Sequence, residues 1–458
     1  MTLLAFLILA ALAVAAFVLN RTAARAIQAG GTRTHSLAYF HGLYALLAVL
    51  VPVFILICIF LVLKTPVINA MVIGGLPDAE IAGLPRGEVD LILATIQSIT
   101  RGQTFGTPPD WQLAAAERLT TLYATADILL VIVVAALSAA ILFLVRRQVA
   151  AEFRARQAAE HIVLGLMISC SLVAILTTIG IVFALVFEAY RFFEMVPFTD
   201  FLFGTSWEPQ IPIRADQIAA VGAFGWLPVI LGTVVIATIA MFIATPIGLL
   251  TAIYLNEFAP HALRAVVKPV LEILSGVPTV VYGFFAVLVV APALRGTGAD
   301  LGFAVSSNTA LAAGGVMGIM LIPFISSFAD DALTAVPRSL RDGSLALGAT
   351  RGETMLKVLF PAAIPGIVGG VLLAVSRAIG ETMIVVMAAG LIARMTINPL
   401  DSVTTVTVQI VTLLIGDTAF DNPKTLAAFA LGLMLFILTL GINVLALRIV
   451  RKYREIYD

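Results

Sequence analysis

Charge is scarce in this chain. Of its 458 residues 12% are Asp, Glu, Lys or Arg, about half of what average soluble domains carry. The net charge is zero and no basic block occurs, which excludes a nucleic-acid-binding surface. Cysteine is rarer still. Cys58 and Cys170 both lie inside apolar runs and read as small buried hydrophobes rather than a disulfide or metal pair. The four histidines (His35, His41, His161, His261) are scattered, and none has the spacing of a zinc site. There is no G-x-x-x-x-G-K-[ST] phosphate loop, no H-E-x-x-H and no G-x-S-x-G, so the chain is not expected to hydrolyse ATP, to be an enzyme or to need a cofactor. What is abundant is hydrocarbon. The hydrophobic fraction is 61% and the mean hydropathy +1.08. A soluble domain cannot hide that much apolar surface, and disorder needs polar sequence. The class is an all-α polytopic membrane protein.

Nine apolar runs approach the ~20 residues that cross a bilayer: 2–19, 41–63, 126–145, 162–187, 226–252, 277–294, 309–329, 366–392 and 426–449. Backbone in lipid must bond to itself, so the runs are helices, and no period-two alternation suggests a barrel. The run 277–294 opens on Gly276, Pro278 and Gly283 and is expected to be bent or close-packed. Loop charge sets orientation. Arg21, Arg25, Arg33; Arg146, Arg147, Arg154, Arg156; Arg264, Lys268; Arg338, Arg341, Arg351, Lys357; and Arg448, Arg451, Lys452, Arg454 put 17 cations on one side. The opposite loops hold 9: Lys64, Arg86, Arg101, Arg118, Arg191, Arg214, Arg295, Arg394 and Lys424. The C-terminus is therefore expected in the cytoplasm and the N-terminus outside. The first run has no Lys or Arg before it and is expected to be a retained span, the alternative being a cleaved signal. Loop 64–125, with Pro77, Pro85, Pro108 and Pro109, is expected to be a solvated linker, or a short surface helix over 111–123. The aromatics of 188–225 and just beyond (Phe192, Phe193, Phe198, Phe201, Phe203, Trp207, Trp226) suit an interfacial belt.

Two segments carry more than hydropathy. The loop 330–365 contains Arg341-Asp342-Gly343-Ser344-Leu345-Ala346-Leu347-Gly348 and, further on, Val358-Leu359-Phe360-Pro361. Leu340, Ala346, Leu347 and Ala349 can share one face, with Arg338, Arg341, Asp342 and Arg351 toward water or a partner. Gly348 permits a sharp turn after a short helix, and Pro361 is expected to restart a chain that cannot continue one helix. Amphipathicity alone allows a plain surface anchor. The second segment, Ser376-Arg377-Ala378-Ile379-Gly380-Glu381-Thr382-Met383, interrupts an apolar run. A central Arg costs about 2.5–3.5 kcal/mol on insertion scales, and such residues face a pathway or a partner. Arg377 and Glu381 stand four apart, so on one helix they share a face and can pair. That pair is either a structural clasp or a transport site, and an Arg fork matches phosphate oxygens.

The spacing of the cytoplasmic loop resembles the signature of ABC importer permeases: Glu-Ala-Ala, three residues, Gly, nine residues, Ile, one residue, Leu-Pro. Gly348, Val358, Phe360 and Pro361 fall in the matching places, while Asp342-Gly343-Ser344 stands where Glu-Ala-Ala is usual. The segment 377–383 closely resembles Arg-Ala-Leu-Gly-Glu-Thr-Met of the phosphate branch. Three further stretches resemble that branch in order: Phe203 to Pro209, Leu255-Asn256-Glu257-Phe258-Ala259-Pro260, and Ser275 to Gly283. The resemblance covers about 160–458. It implies a six-helix permease core over 156–458, preceded by an extension over 1–155 with about three spans. It also implies an inner-membrane importer with a binding protein outside, a second permease subunit (PstA-type) and a pair of ATPase subunits, passing inorganic phosphate by alternating access. Arg341, Asp342, Gly343, Ser344, Gly348 and Pro361 are then expected at the ATPase, and Arg377, Glu381 and Thr382 on the substrate pathway. Other readings are a permease for molybdate, sulfate or a phosphonate, and a membrane scaffold or sensor without conduction.

Overall fold

The computed structural model describes residues 1–77, 86–103, 108–209, 222–415 and 422–454, with only the backbone of Arg86, Tyr453 and Arg454. Pro85 and Arg214, and the side chains of Arg86 and Arg454, lie outside the described residues. Among those described, nine helices are long and apolar enough to cross a membrane, with windows of mean hydropathy from 1.7 to 3.4. They overlap the nine runs, the eighth lying over Arg351–Ile379 rather than 366–392.

The chain divides into two compact units, Met1–Leu176 and Thr177–Asp458. In the first, α1 (Thr2–Ala29), α2 (Ala38–Ile73) and α4 (Asp110–Arg147) pack together, and α3 is Arg86–Thr100. Ala5, Leu9, Ala13 and Ala16 recur at helical spacing on α1 and meet Ala45, Val49, Val53 and Ile57 of α2 and Leu130 and Val134 of α4. Lipid is as apolar as these side chains, so small residues and close backbone approach hold such helices together. At 1.5 Å per residue α2 is about 54 Å long, well beyond a ~30 Å hydrocarbon layer. Its last turns join α3 and the first turns of α4 in a separate apolar cluster of Ile68, Val72, Leu93, Ile96, Ala115, Ala116 and Leu119. The expected linker is therefore mostly helical, and 111–123 belongs to α4. Its apolar residues pack against the ends of α2 and α3, which turn-rich composition does not reveal.

Helix α5 (Ala155–Met195) runs across the division between units, followed in the second unit by α6 (Phe198–Phe203), β1 (Trp207–Glu208) and β2 (Ala223–Phe224). The two short strands pair antiparallel. The expected aromatic belt is in part a core. Phe192, Phe201, Trp207, Phe224 and Trp226 are buried together, with edge-to-face ring pairs such as Phe192 with Phe201 and Trp207 with Phe224. Phe198 and Phe203 stay exposed.

Next come α7 (Leu227–Ile253), ending in a π-turn at Tyr254–Phe258; α8 (His261–Ser275); α9 (Thr279–Asp300); α10 (Ala310–Thr334); and α11 (Arg338–Ala346). They are followed by α12 (Arg351–Ile379), α13 (Met383–Ala388), α14 (Val406–Leu414) and α15 (Pro423–Arg454). Helix α9 carries a π-turn at Ala286–Val290, the irregularity its glycines suggested. Helix α10 is the most buried of the nine spans, with 61% of its apolar window inside. Thr309 starts it by accepting a hydrogen bond from the Ala312 N–H. Gly314 and Gly318 let it press against α7: a Cβ there would stand about 3.0 Å from the carbonyl oxygens of Ile236 and Ala240. The core of the unit collects Ile236, Ala240 and Ala244 of α7, Met317, Leu321 and Ile325 of α10, Ala374 and Ala378 of α12, and Ile384 and Val385 of α13.

Candidate functional site

Helix α12 links the two segments singled out by sequence. It begins with a capping box, in which Thr350 Oγ1 accepts from the Glu353 N–H and Glu353 Oε2 from the Thr350 N–H. A π-turn follows at Met355–Leu359, and the helix then runs from Phe360 to Ile379. Pro361 does not restart the chain as expected. It sits in the first turn after the π-turn, where its missing N–H disturbs the ladder least, and the helix continues through it. From Arg351 to Arg377 the axis covers about 39 Å.

At its far end α12 stops at Ile379, and residues 380–382 break the run that was expected to span 366–392. Arg377 is in the last turn, not at a helix centre. The expected i,i+4 pair with Glu381 does not form, because Glu381 is already past the helix. Its Oε1 instead accepts from the N–H of Met383 at 3.1 Å and lies 3.5 Å from that of Ile384, capping α13 where backbone donors are otherwise orphaned. The Thr407 hydroxyl donates to the Glu381 carbonyl at 2.9 Å, and Thr382 Oγ1 donates to the Gly380 carbonyl. Arg377 is exposed in this chain. Its guanidinium lies 5.6 Å from the Phe324 ring centroid, a cation–π distance, and no ion pair joins it to a described carboxylate. Phe324 also lines a cavity of about 150 Å³ with Arg264, Lys268, Ser326, Ser327 and Asp330. The Lys268 ammonium is held above the usual lysine range, chiefly by its hydrogen bond to Asp330.

Sequence reasoning missed a polar knot behind the break. Thr404, Thr405, Thr407 and Gln409 are buried. Gln409 Nε2 donates to the Leu391 carbonyl and to Thr404 Oγ1, its Oε1 accepts from Trp207 Nε1 at 2.9 Å, and Thr233 Oγ1 accepts from the Val406 N–H. The alternation Thr405-Val406-Thr407-Val408-Gln409 in an apolar stretch was the available signal.

In the segment 330–365 α11 is a nine-residue helix with no buried residue. It runs through Gly343, and the chain then turns at Gly348, whose φ of +89° only glycine adopts freely. The expected turn is there. Ser344 Oγ and Thr354 Oγ1 lie 3.0 Å apart, fastening α11 to α12. Asp342 is exposed. Arg341, expected to face water or a partner, instead reaches Glu257 of the π-turn after α7, with Nη2 and Oε2 2.6 Å apart.

Residues 244–455 match the family described as the binding-protein-dependent transport system inner membrane component. Residues 6–177 match the family described as phosphate ATP-binding cassette transporter. The probable ABC transporter permease protein YqgH of Bacillus subtilis is 33% identical over 290 residues, 63% of this chain and 89% of that protein. The phosphate transport system permease protein PstC of Mesorhizobium japonicum is 33% identical over 264 residues, 54% of this chain and 76% of that protein. A solved chain of the inward-facing MetNI methionine ABC transporter is 23% identical, covering 48% of this chain and 93% of that one with a TM-score of 0.37. Most of the length of these permease relatives is shared with this chain, and their family is one of multi-pass inner-membrane subunits. The chain belongs to the binding-protein-dependent ABC importer permeases and resembles their phosphate-transport members.

Proposed function

We propose that the chain conducts inorganic phosphate inward as one of two permease subunits of an ATP-driven importer. A binding protein delivers the anion to the outer face, which is the face opposite the cation-rich loops and holds the N-terminus. The C-terminus and α11 face the cytoplasm. Two copies of a separate ATPase close beneath α11, its exposed Asp342 and the turn at Gly348, and the helices reorient around the anion, by alternating access. Residues 156–458 act as the core and 1–155 as an extension.

The observation that carries this reading is Arg377. A cation in the last turn of a spanning helix, beside a break and with no described carboxylate at ion-pair distance, is costly unless an anion or partner uses it. Its planar fork suits a tetrahedral oxyanion. Its seat on Phe324 orients the guanidinium without neutralising it, so the anion can bind and still leave. Glu381 supports the pathway by fixing the break rather than by pairing with Arg377, and the Thr382 hydroxyl is a donor within the same turn. The phosphate-transport relatives support phosphate as the cargo. One Arg does not by itself distinguish phosphate from molybdate or sulfate.

The cargo is tested with the four-part system expressed in cells that lack their own high-affinity importer. Uptake of labelled phosphate should resist a tenfold excess of molybdate or sulfate. Strong competition by either anion moves the cargo to it. An assembled complex that takes up none of the three supports a scaffold or sensor.

A further inference from the structure

The π-turn Tyr254–Phe258 sends consecutive side chains in two directions. Asn256 Nδ2 donates to Asp330 Oδ1 at 2.8 Å and to Thr334 Oγ1 at 3.0 Å, at the end of α10. Asp330 in turn gathers Arg264 and Lys268 of α8 at 3.1 and 2.8 Å. Glu257 points the other way, toward α11. Its side chain is 1% exposed, and the described cation within ion-pair distance is Arg341, 37% exposed. A buried carboxylate is strongly unfavourable once its partner is removed, so this contact is not an idle surface pair. Glu257 Oε2 accepts no aligned hydrogen bond, so charge rather than direction holds the contact, and it tolerates rotation of α11.

We propose that Glu257 and Arg341 are positioning residues that make α11 and the inner end of α7 move together, so that motion imposed on α11 from the cytoplasm reaches the helices around Arg377. Helix α11 buries no residue of its own. It is fastened by Ser344 to α12 and by Arg341 to the turn after α7. With the first link alone a push on α11 reaches α12. With both, α7 and α12 move as a pair, and α10 is drawn in through Asn256 and Asp330. This rests on the reading of α11 as the ATPase-facing helix.

The test uses the reconstituted four-part complex with labelled phosphate in an ATPase-coupled uptake assay, comparing E257Q, R341Q, R341K and the E257Q/R341Q double variant. We expect E257Q and R341Q to assemble and uptake to fall about tenfold in both, a coupling loss of ordinary size, while E257Q, whose carboxylate is buried away from the ATPase face, hydrolyses ATP within about twofold of the native rate. R341K keeps the charge and should recover uptake, and the double variant should be no worse than the poorer single one. Native uptake by E257Q, or losses that multiply in the double variant, would overturn the proposal. So would an R341Q complex that sheds its ATPase when E257Q does not, since Arg341 would then bind the ATPase directly. If E257Q fails to assemble, R341Q and R341K carry the comparison. A second readout needs no cargo: hydrogen exchange of the Arg338–Ala346 amides should quicken in the R341Q complex, and unchanged protection would refute the link. If native complexes import no phosphate yet exchange quickens, the cargo reading falls and the link stands.

Discussion

At the scale of single residues, Glu381 and Arg377 have separate jobs that their spacing concealed. Glu381 caps α13 with its carboxylate. Replacing it with Ala should lower the stability of the purified complex by about 1 kcal/mol, the usual loss of a cap, whereas Gln, which still offers an oxygen, should cost less. Thermal unfolding in detergent reads the difference, and equal losses would contradict the capping role. The sequence shows Arg377 and Glu381 four apart inside an apolar run, and nothing in that spacing distinguishes a continuous helix from a broken one. A glycine such as Gly380 costs a helix only about 1 kcal/mol. The break is decided by contacts with distant residues, the Thr407 hydroxyl on the Glu381 carbonyl among them, and these are not local information. Arg341 shows the same limit: its charge was legible, but its partner Glu257 lies 84 positions away in the sequence.

At the scale of elements, the segment from α11 into α12 was the most legible. The short helix and the turn at Gly348 follow from local residue types, whereas the continuation of α12 through Pro361 does not. Gly348→Ala forces an L side chain to φ +89° and should cost about 1–2 kcal/mol, seen as lower thermal stability of the complex. A Gly348→Ala variant as stable as the native protein would mean that the turn is relaxed by other residues. Thr350→Ala, which removes half of the capping box, should cost about 1 kcal/mol in the same measurement. In the first unit Lys64 of α2 and Asp127 of α4 form an ion pair with side chains only 13% and 21% exposed. Lys64→Met alone strands a carboxylate and should destabilise the chain more than the Lys64→Met/Asp127→Leu double variant does. The reverse order in detergent unfolding would show a solvated, dispensable pair. This pair, and the α3 cluster beside it, could not be read from loop composition, because Pro77, Pro85, Pro108 and Pro109 suggest turns while saying nothing of the helices between them.

At the scale of the whole molecule, the nine spans were readable because hydrocarbon length imposes a minimum run of apolar residues, and among the described residues nine helices meet it. Orientation rests on 17 cations against 9. Leu347 is 91% exposed at the end of α11, so a Leu347→Cys variant should react with a membrane-impermeant maleimide in inside-out vesicles and not in intact cells. Labelling from outside would invert the topology. The cation balance gives an expectation for the sidedness of the loops, and it carries no sign that α12 runs as one axis from Arg351 to Arg377.

The most direct measurement is labelled-phosphate flux by the assembled complex with Arg377→Ala beside the native chain, assembly being checked on the same membranes. The account predicts that the native complex transports phosphate and that the assembled variant loses at least about tenfold of that flux, as expected when a charge-assisted anion contact is removed. An assembled Arg377→Ala complex that transports at the native rate would contradict it, and Arg377 would then be a structural cation resting on Phe324.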